Sequence, residues 1–136
     1  MESTTQILVV ANRTADSDEV FNAVKERASK GSVCITILVP QDSRGGMGKR
    51  LNSALNRLHE AGIDAVGMLG DIDPIIAVQE ELDAEKFDEV IVSTLPSDES
   101  RWIELELPER IAKLTGAPVT HVVSTEVAPF APAPTG

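Results

Sequence analysis

The chain has little with which to build a disulfide, a cysteine-ligated metal site or a flavin stack. Among its 136 residues there is one cysteine, no tyrosine, one tryptophan and three phenylalanines. A lone cysteine excludes disulfides and cysteine-based metal sites within one chain. Cys34 lies inside an apolar run and reads as a small core residue. There are two histidines, and neither has a cysteine or second histidine at metal-ligand spacing. Only Trp102 and the phenylalanines could stack on a flavin, and no general base sits beside a nucleophile, so an enzyme is the weakest of the function classes. Basic residues are also scarce, 12 against 22 acidic ones, giving a net charge of −10. Such a surface repels phosphate backbones and anionic lipid, which predicts no nucleic-acid and no membrane partner. The longest strand-like run, Val33 to Val39, falls far short of the roughly 20 residues that cross a bilayer. The polar start, Met1 to Gln6, does not resemble a signal peptide. Together these features predict a cytoplasmic protein.

What is present is an alternation. Short apolar runs, Ile7–Ala11, Val33–Val39, Ala65–Leu69, Glu89–Val92 and Val119–Val123, are rich in β-branched residues and read as strands buried on both faces, as a parallel sheet requires. Between them lie helix signals. Asp16 or Ser17 can cap a helix whose Val20, Val24 and Ala28 share a face, with Gly31 as its stop. Leu51, Ala54, Leu55 and Leu58 mark a second helix that ends at Gly62. Asp73 before Pro74 caps a third, with Ile75, Val78 and Leu82 as its stripe. In the fourth connection Pro108 disfavours a helical Leu107, which predicts a kink or a fresh helix through Ile111 and Leu114 to Gly116.

Five strands joined by right-handed crossovers predict a single α/β domain, a doubly wound five-stranded parallel sheet with helices on both faces. The domain spans residues 1–124. Residues 125–136, rich in proline and alanine, cannot bury enough surface to offset their ordering entropy and are read as a flexible tail. Open parallel sheets bind ligands outside the carboxyl ends of their strands, in the crevice where the connections diverge. That rule points to Ala11, Asn12, Arg13 and Thr14 after the first strand, to Val39 through Gln41 after the second, and to Ser93 through Arg101 after the fourth. Within these segments Ser93, Thr94, Ser97 and Ser100 supply hydroxyls. Arg101 can grip a carboxylate or phosphate bidentately, and Trp102 can stack on a base. The same serines can equally cap an irregular helix, Arg101 can pair with Asp98 or Glu104, and Trp102 can pack on the sheet.

Asn12 can hydrogen-bond a base or ribose, or simply form a turn. The Arg44 to Arg50 stretch looks like a phosphate loop but lacks glycine at Ser43 and a hydroxyl at Arg50, so it reads as a flexible, basic lead-in to the second helix. His59 reads as a surface or boundary residue, and His121 as facing a dimer interface or a covering helix. Glu80, Glu81, Asp83 and Glu85 read as a solvated helix face. A phosphoacceptor receiver domain would need paired carboxylates where Asn12 and Arg13 stand, and a lysine near Ser124.

Gly70 to Pro74 opening the third helix, Asp88 to Ser93 in the fourth strand and Gly116 to Val119 before the fifth resemble the universal stress proteins, over roughly residues 5 to 124. The resemblance implies strand order 3-2-1-4-5 and a homodimer built through the fifth strand, whose edge backbone is otherwise an open template. It also implies a family divided into members that bind ATP and members that do not. ATP-binding members carry a glycine motif after the fourth strand, where glycine lets backbone N–H groups approach phosphate oxygens. Here the corresponding positions fall near Ser93, Pro96 and Leu105 to Leu107, without a glycine. Asp98 and Glu99 add charge of the wrong sign. At an effective dielectric near 20, two like charges about 5 Å apart cost roughly 3 kcal/mol before screening, comparable to a hundredfold in affinity.

The sequence therefore predicts a non-enzymatic, universal-stress-like regulatory or interaction module that does not bind ATP in the family's usual mode. The alternative is a small-ligand or nucleotide-binding protein using the crevice between the first and fourth strands. On that reading an adenine nucleotide is the one cofactor admitted, and its contacts are Ala11, Asn12, Arg13, Thr14, Val39, Ser93, Thr94, Ser100 and Arg101. No catalytic residue and no metal ligand is predicted; a second copy is the one partner named, and the identity of any other protein partner is not encoded in the sequence.

Overall fold

A computed structural model describes residues 4–42, 45–96 and 101–124, apart from the side chains of Arg101 and Glu104. The strands are β1 (Thr5–Val10), β2 (Val33–Pro40), β3 (Ala65–Gly70), β4 (Glu89–Thr94) and β5 (Val119–Val123). The helices are α1 (Asp18–Ala28), α2 (Met47–Glu60), α3 (Pro74–Ala84), α4 (Arg101–Glu104) and α5 (Leu107–Thr115). All neighbouring strands are parallel, in the order β3-β2-β1-β4-β5. This is the doubly wound sheet that the alternation predicts and the order that the family resemblance implies. The tail at 125–136 lies outside the described residues.

Alternation along β1 divides the core into two layers. Ile7 and Val9 point with Ile35, Ile37 and Ile91 toward Val20 and Val24 of α1 and Leu51, Ala54 and Leu58 of α2. Leu8 and Val10 point the other way, with Leu38, Val90 and Val92, onto Ala77 and Val78 of α3 and Leu107 and Ile111 of α5. Each layer is a stripe of β-branched strand residues against a helical stripe, the burial that makes such runs apolar at every position.

Local chemistry fixes the helix ends. Ser17 Oγ accepts from Val20 N at 3.2 Å, and Asp73 Oδ1 accepts from Ile75 N at 2.9 Å, each satisfying a donor of the first turn. Gly116 closes α5 at φ 69°, a left-handed cap that glycine adopts without strain. The fourth connection does start a fresh helix, but Leu107 is itself helical. The break falls one residue earlier, at Glu106 with φ 52°, so Pro108 occupies the second helical position, where its missing N–H costs nothing.

Several sequence expectations need correcting. The glycine-rich basic stretch is not simply a flexible lead-in, because Met47 through Arg50 already form the first turn of α2. Arg50 is buried there, and its Nη1 bonds Asp16 Oδ1 at 3.1 Å. Cys34 is only partly buried, although burial still pushes its thiol above the usual range, helped by Asp64 and Glu85. On α3, Glu81 is half-buried rather than fully solvated. Burial, then the neighbouring Glu85, raises its carboxyl above the ordinary range.

Candidate functional site

The carboxyl ends of the strands carry two arrangements of polar groups, one closed and one open. The closed one is a chain of hydroxyls. Thr14 Oγ1 lies 2.7 Å from Ser93 Oγ, and Ser93 Oγ lies 2.8 Å from Ser124 Oγ, each residue being 1 % exposed. The chain binds the β1–α1 loop to the last turns of β4 and β5. Beside it Thr94 Oγ1 meets His121 Nε2 at 2.8 Å. Thr94 is 2 % exposed, so its hydroxyl is closed off, whereas His121 is exposed on the edge strand β5.

The open arrangement is a cleft of about 570 Å³, within the range of small-molecule sites. Asn12 enters it from the end of β1, and Gln41 and Asp42 from the end of β2. The β3–α3 turn contributes Ile72 and Asp73, and Trp102, Leu105 and Arg110 come from α4, the α4–α5 turn and α5. Trp102 is half-buried, packing against the α3/α5 core layer while also lining the cleft. Asn12 Oδ1 accepts from Arg13 N at 2.6 Å, which orients the amide and leaves its N–H groups for a ligand. Gln41 is held by its main chain, whose N–H donates to Gly70 O at 3.1 Å.

Charge in the cleft is mixed. Arg13 Nη1 sits 3.7 Å from Asp42 Oδ2, so those two charges largely balance. The N-terminus of α3 faces the same space but already holds an anion, because the Asp73 carboxylate takes the N–H groups of Ile75 and Ile76. Arg110 is exposed and forms no ion pair with any described residue. An aromatic wall, two amides and one available guanidinium can hold a flat heterocycle bearing a single anionic group.

Of the residues expected from the sequence, the cleft gathers Asn12, with Gln41 and Trp102 from the same segments. Ala11 and Val39 are fully buried in the core. Thr14, Ser93 and Thr94 are buried in the hydroxyl contacts, and Arg13 stands beside the cleft on Asp42. Ser100, and the side chain of Arg101, lie outside the described residues. Sequence reasoning missed Asp42, the β3–α3 turn and Arg110. Arg110 had no local signal, because its segment reads as an amphipathic helix with Arg110 on the polar side.

No family model matches the sequence, and no curated protein matches it. Solved structures do. A universal stress protein in complex with cAMP covers 91 % of this chain and 100 % of its own, at a TM-score of 0.65 and 18 % identity. A universal stress protein family protein from Arabidopsis thaliana with AMP bound covers 96 % of this chain and 97 % of its own, at a TM-score of 0.58 and 16 % identity. A protein from Mycobacterium tuberculosis covers 92 % and 98 %, at a TM-score of 0.54 and 19 % identity. The class defined by the fold is thus the open α/β sheet of the universal stress proteins. The chain has that fold along nearly its whole length, as its glycine and proline punctuation suggests, and no helix among the described residues is long and apolar enough to cross a membrane.

Proposed function

We propose that the protein is a non-enzymatic, universal-stress-like module that binds an adenine nucleotide with one phosphate in the cleft at the carboxyl edge of its sheet. The observation that carries this reading is the cleft itself, where Trp102, Asn12, Gln41 and Arg110 converge from four separate segments. The base would stack on Trp102, the amides of Asn12 and Gln41 would read its edge or the ribose, and Arg110 would take the phosphate. The neighbours of similar fold that hold cAMP and AMP make a ligand of this size reasonable.

A triphosphate suits the cleft poorly. Asp42 and Asp73 both line it, and each further phosphate charge held about 5 Å from a carboxylate costs roughly 3 kcal/mol at an effective dielectric near 20, before screening. On the family resemblance, the first glycine position of ATP-binding members falls near Ser93, whose side chain is engaged with Thr14 and Ser124. A regulatory module with an empty cleft is the second reading, favoured by that same departure.

The only tryptophan lines the cleft, so its fluorescence reports occupancy directly. Titration with AMP should quench Trp102 with a micromolar Kd, ATP should bind at least about tenfold more weakly, and Arg110→Ala should abolish the preference of AMP over adenosine. AMP should be recovered unchanged. No quenching and no calorimetric heat up to millimolar AMP would leave the second reading; ATP binding more tightly than AMP would refute the one-phosphate assignment.

A further inference from the structure

Five of the eight large apolar residues that the described structure exposes lie along β3 and the start of α3. They are Val66 at 57 %, Met68 at 48 %, Leu69 at 47 %, Ile72 at 61 % and Ile76 at 43 %. The cause is a mismatch in coverage. Gly67 faces α2, since a Cβ there would lie 2.6 Å from Leu51 Cδ1, whereas Gly70 faces α3, since a Cβ there would lie 2.7 Å from Ala77 Cβ. Val66 and Met68 share the face of Gly70. That face is left open at Val66 and Met68 because α3 reaches β3 only at its last residue, Gly70, and otherwise buries Ala77 and Val78 with Leu38, Leu8 and Val10 of the inner strands.

β3 is also an edge, pairing only with β2. Asp64 O and Gly70 O accept from Ile35 N and Gln41 N, so the even-numbered carbonyls point at β2. Alternation then turns the main-chain groups of Ala65, Gly67 and Leu69 outward, toward no strand. The strand has none of the usual protection of an edge: Ala65 to Gly70 carries no charge and no proline.

We propose that this edge is a dimer interface, in which β3 pairs antiparallel with β3 of a second copy about a twofold axis at Gly67. Three outward residues leave one centred register. Gly67 opposes the partner's Gly67, and Ala65 opposes the partner's Leu69, in hydrogen-bonded pairs. Val66 then opposes the partner's Met68 in the non-bonded pairs, where side chains stand closest. A twofold axis normal to the sheet keeps faces matched, so both bare apolar strips fall on one side and continue each other.

Charge permits this register, since Asp64 opposes Gly70 and Asp71 opposes Ile63, and no carboxylate meets another directly across the pair. Two chains of net charge −10 can approach closely only where neither presents charge, as here. Leaving aside Leu69, which shares the face of Gly67, the other four side chains expose on the order of 350 Å² of apolar surface, a size at which a patch is often functional. With the strand backbone, pairing buries on the order of 1,200 Å² over both copies, the lower bound for a stable interface.

The β5 edge, which the family resemblance implies for a homodimer, is the weaker candidate. Its outward groups are those of Val119, His121 and Val123, because Pro118 O and Ser124 N bond β4. The equivalent axis would set His121 against itself while its imidazole is engaged with Thr94. Of its side chains only Val123 is a large exposed hydrophobic.

Sedimentation of the full chain from about 5 to 200 µM, a range that brackets weak dimers, tests the proposal with Met68→Lys and Val66→Lys against Val123→Lys. The expected result is a dimer whose Kd rises at least a hundredfold in the two β3 variants and stays within twofold in the β5 variant. Because Met68 and Val66 are half-exposed, circular dichroism should show both variants folded. Should either fail to fold, hydrogen exchange of wild-type residues 63–71 supplies the answer, as the amides of Ala65, Gly67 and Leu69 must slow with concentration. A wild-type monomer throughout, dissociation by Val123→Lys instead, or exchange at β3 independent of concentration would each overturn the proposal.

Discussion

Replacing Ser93 with alanine should cost this domain far more than the loss of one small hydroxyl suggests. Ser93 Oγ is the middle of a three-member chain, 2.7 Å from Thr14 Oγ1 and 2.8 Å from Ser124 Oγ. All three residues are 1 % exposed, so water cannot replace the lost partner. The substitution removes two hydrogen bonds and leaves two buried hydroxyls stranded, each worth about 1–3 kcal/mol in desolvation. A loss of about 2–4 kcal/mol follows, a large part of the 5–15 kcal/mol of a typical domain. Urea unfolding should show it as a midpoint lowered by about 1–2 M with an unchanged slope.

Non-additivity is the sharper test. Thr14→Val and Ser124→Ala each orphan one end of the chain, yet with all three hydroxyls gone no polar group is left unpaired. The triple variant should therefore be more stable than the sum of the single losses by at least about 2 kcal/mol. A Ser93→Ala cost below about 0.5 kcal/mol, or strict additivity, would show that the hydroxyls bond something else and refute the reasoning.

Gly70→Ala should destabilise by about 1–3 kcal/mol through overpacking, because its Cβ would lie 2.7 Å from Ala77 Cβ and 2.9 Å from Leu38 Cδ1; a midpoint within error of wild type would mean that α3 yields freely. Glu81 has a carboxyl raised by burial and by Glu85, so the folded state holds its proton more tightly than the unfolded chain. That contribution is complete below the unfolded pKa and is lost as pH rises through the folded one. Glu81→Gln should therefore raise Tm at pH 7 and lose the advantage toward pH 4, as a series of thermal melts would show. Burial holds the Cys34 thiol above its usual range, so iodoacetamide should label native protein slowly at pH 8 and quickly once urea unfolds it; equal rates would contradict the burial of that side chain.

The fold was legible because each element announces itself locally. β-branched runs give the strands, Ser17 and Asp73 stand just before apolar stripes, and Gly62 and Gly116 stand just after them. The site was legible only as a place. The rule for open sheets locates the carboxyl edge, but a strand's last residues alternate in direction, and nothing local tells which side chain points at a ligand. Val39 and Ala11 therefore turned inward, while Asn12 and Gln41, neighbours of the same segments, line the cleft. Thr14 and Ser93 are 79 residues apart, so their mutual bond could not be read from either segment. Arg110 reads as the solvated side of an amphipathic helix until α5 is seen to begin beside the cleft. Arg50 shows the opposite failure: a cation in a glycine-rich stretch looks mobile, yet it is fixed by a carboxylate 34 residues earlier.

Ile72 connects the two surfaces proposed for ligand and for a second copy. It lines the cleft, and at 61 % it is the most exposed of the described large apolar residues, standing between β3 and α3 where a paired edge would continue. A nucleotide that orders this turn removes part of the entropy that pairing must otherwise supply, and pairing does the same for the nucleotide. A symmetric dimer holds two nucleotides, so linkage makes the change in dimer affinity the square of the change in affinity at each site. If AMP at saturation tightens the dimer tenfold, each site of the dimer must bind AMP about threefold more tightly than the monomeric Met68→Lys variant does, and Ile72→Ala should shrink both factors together. Sedimentation with and without AMP, and Trp102 titrations of the dimer and of the variant, measure the two sides of that cycle separately. Equal dimer affinity with and without nucleotide would show that the β3–α3 turn is already rigid and that the cleft and the edge act independently.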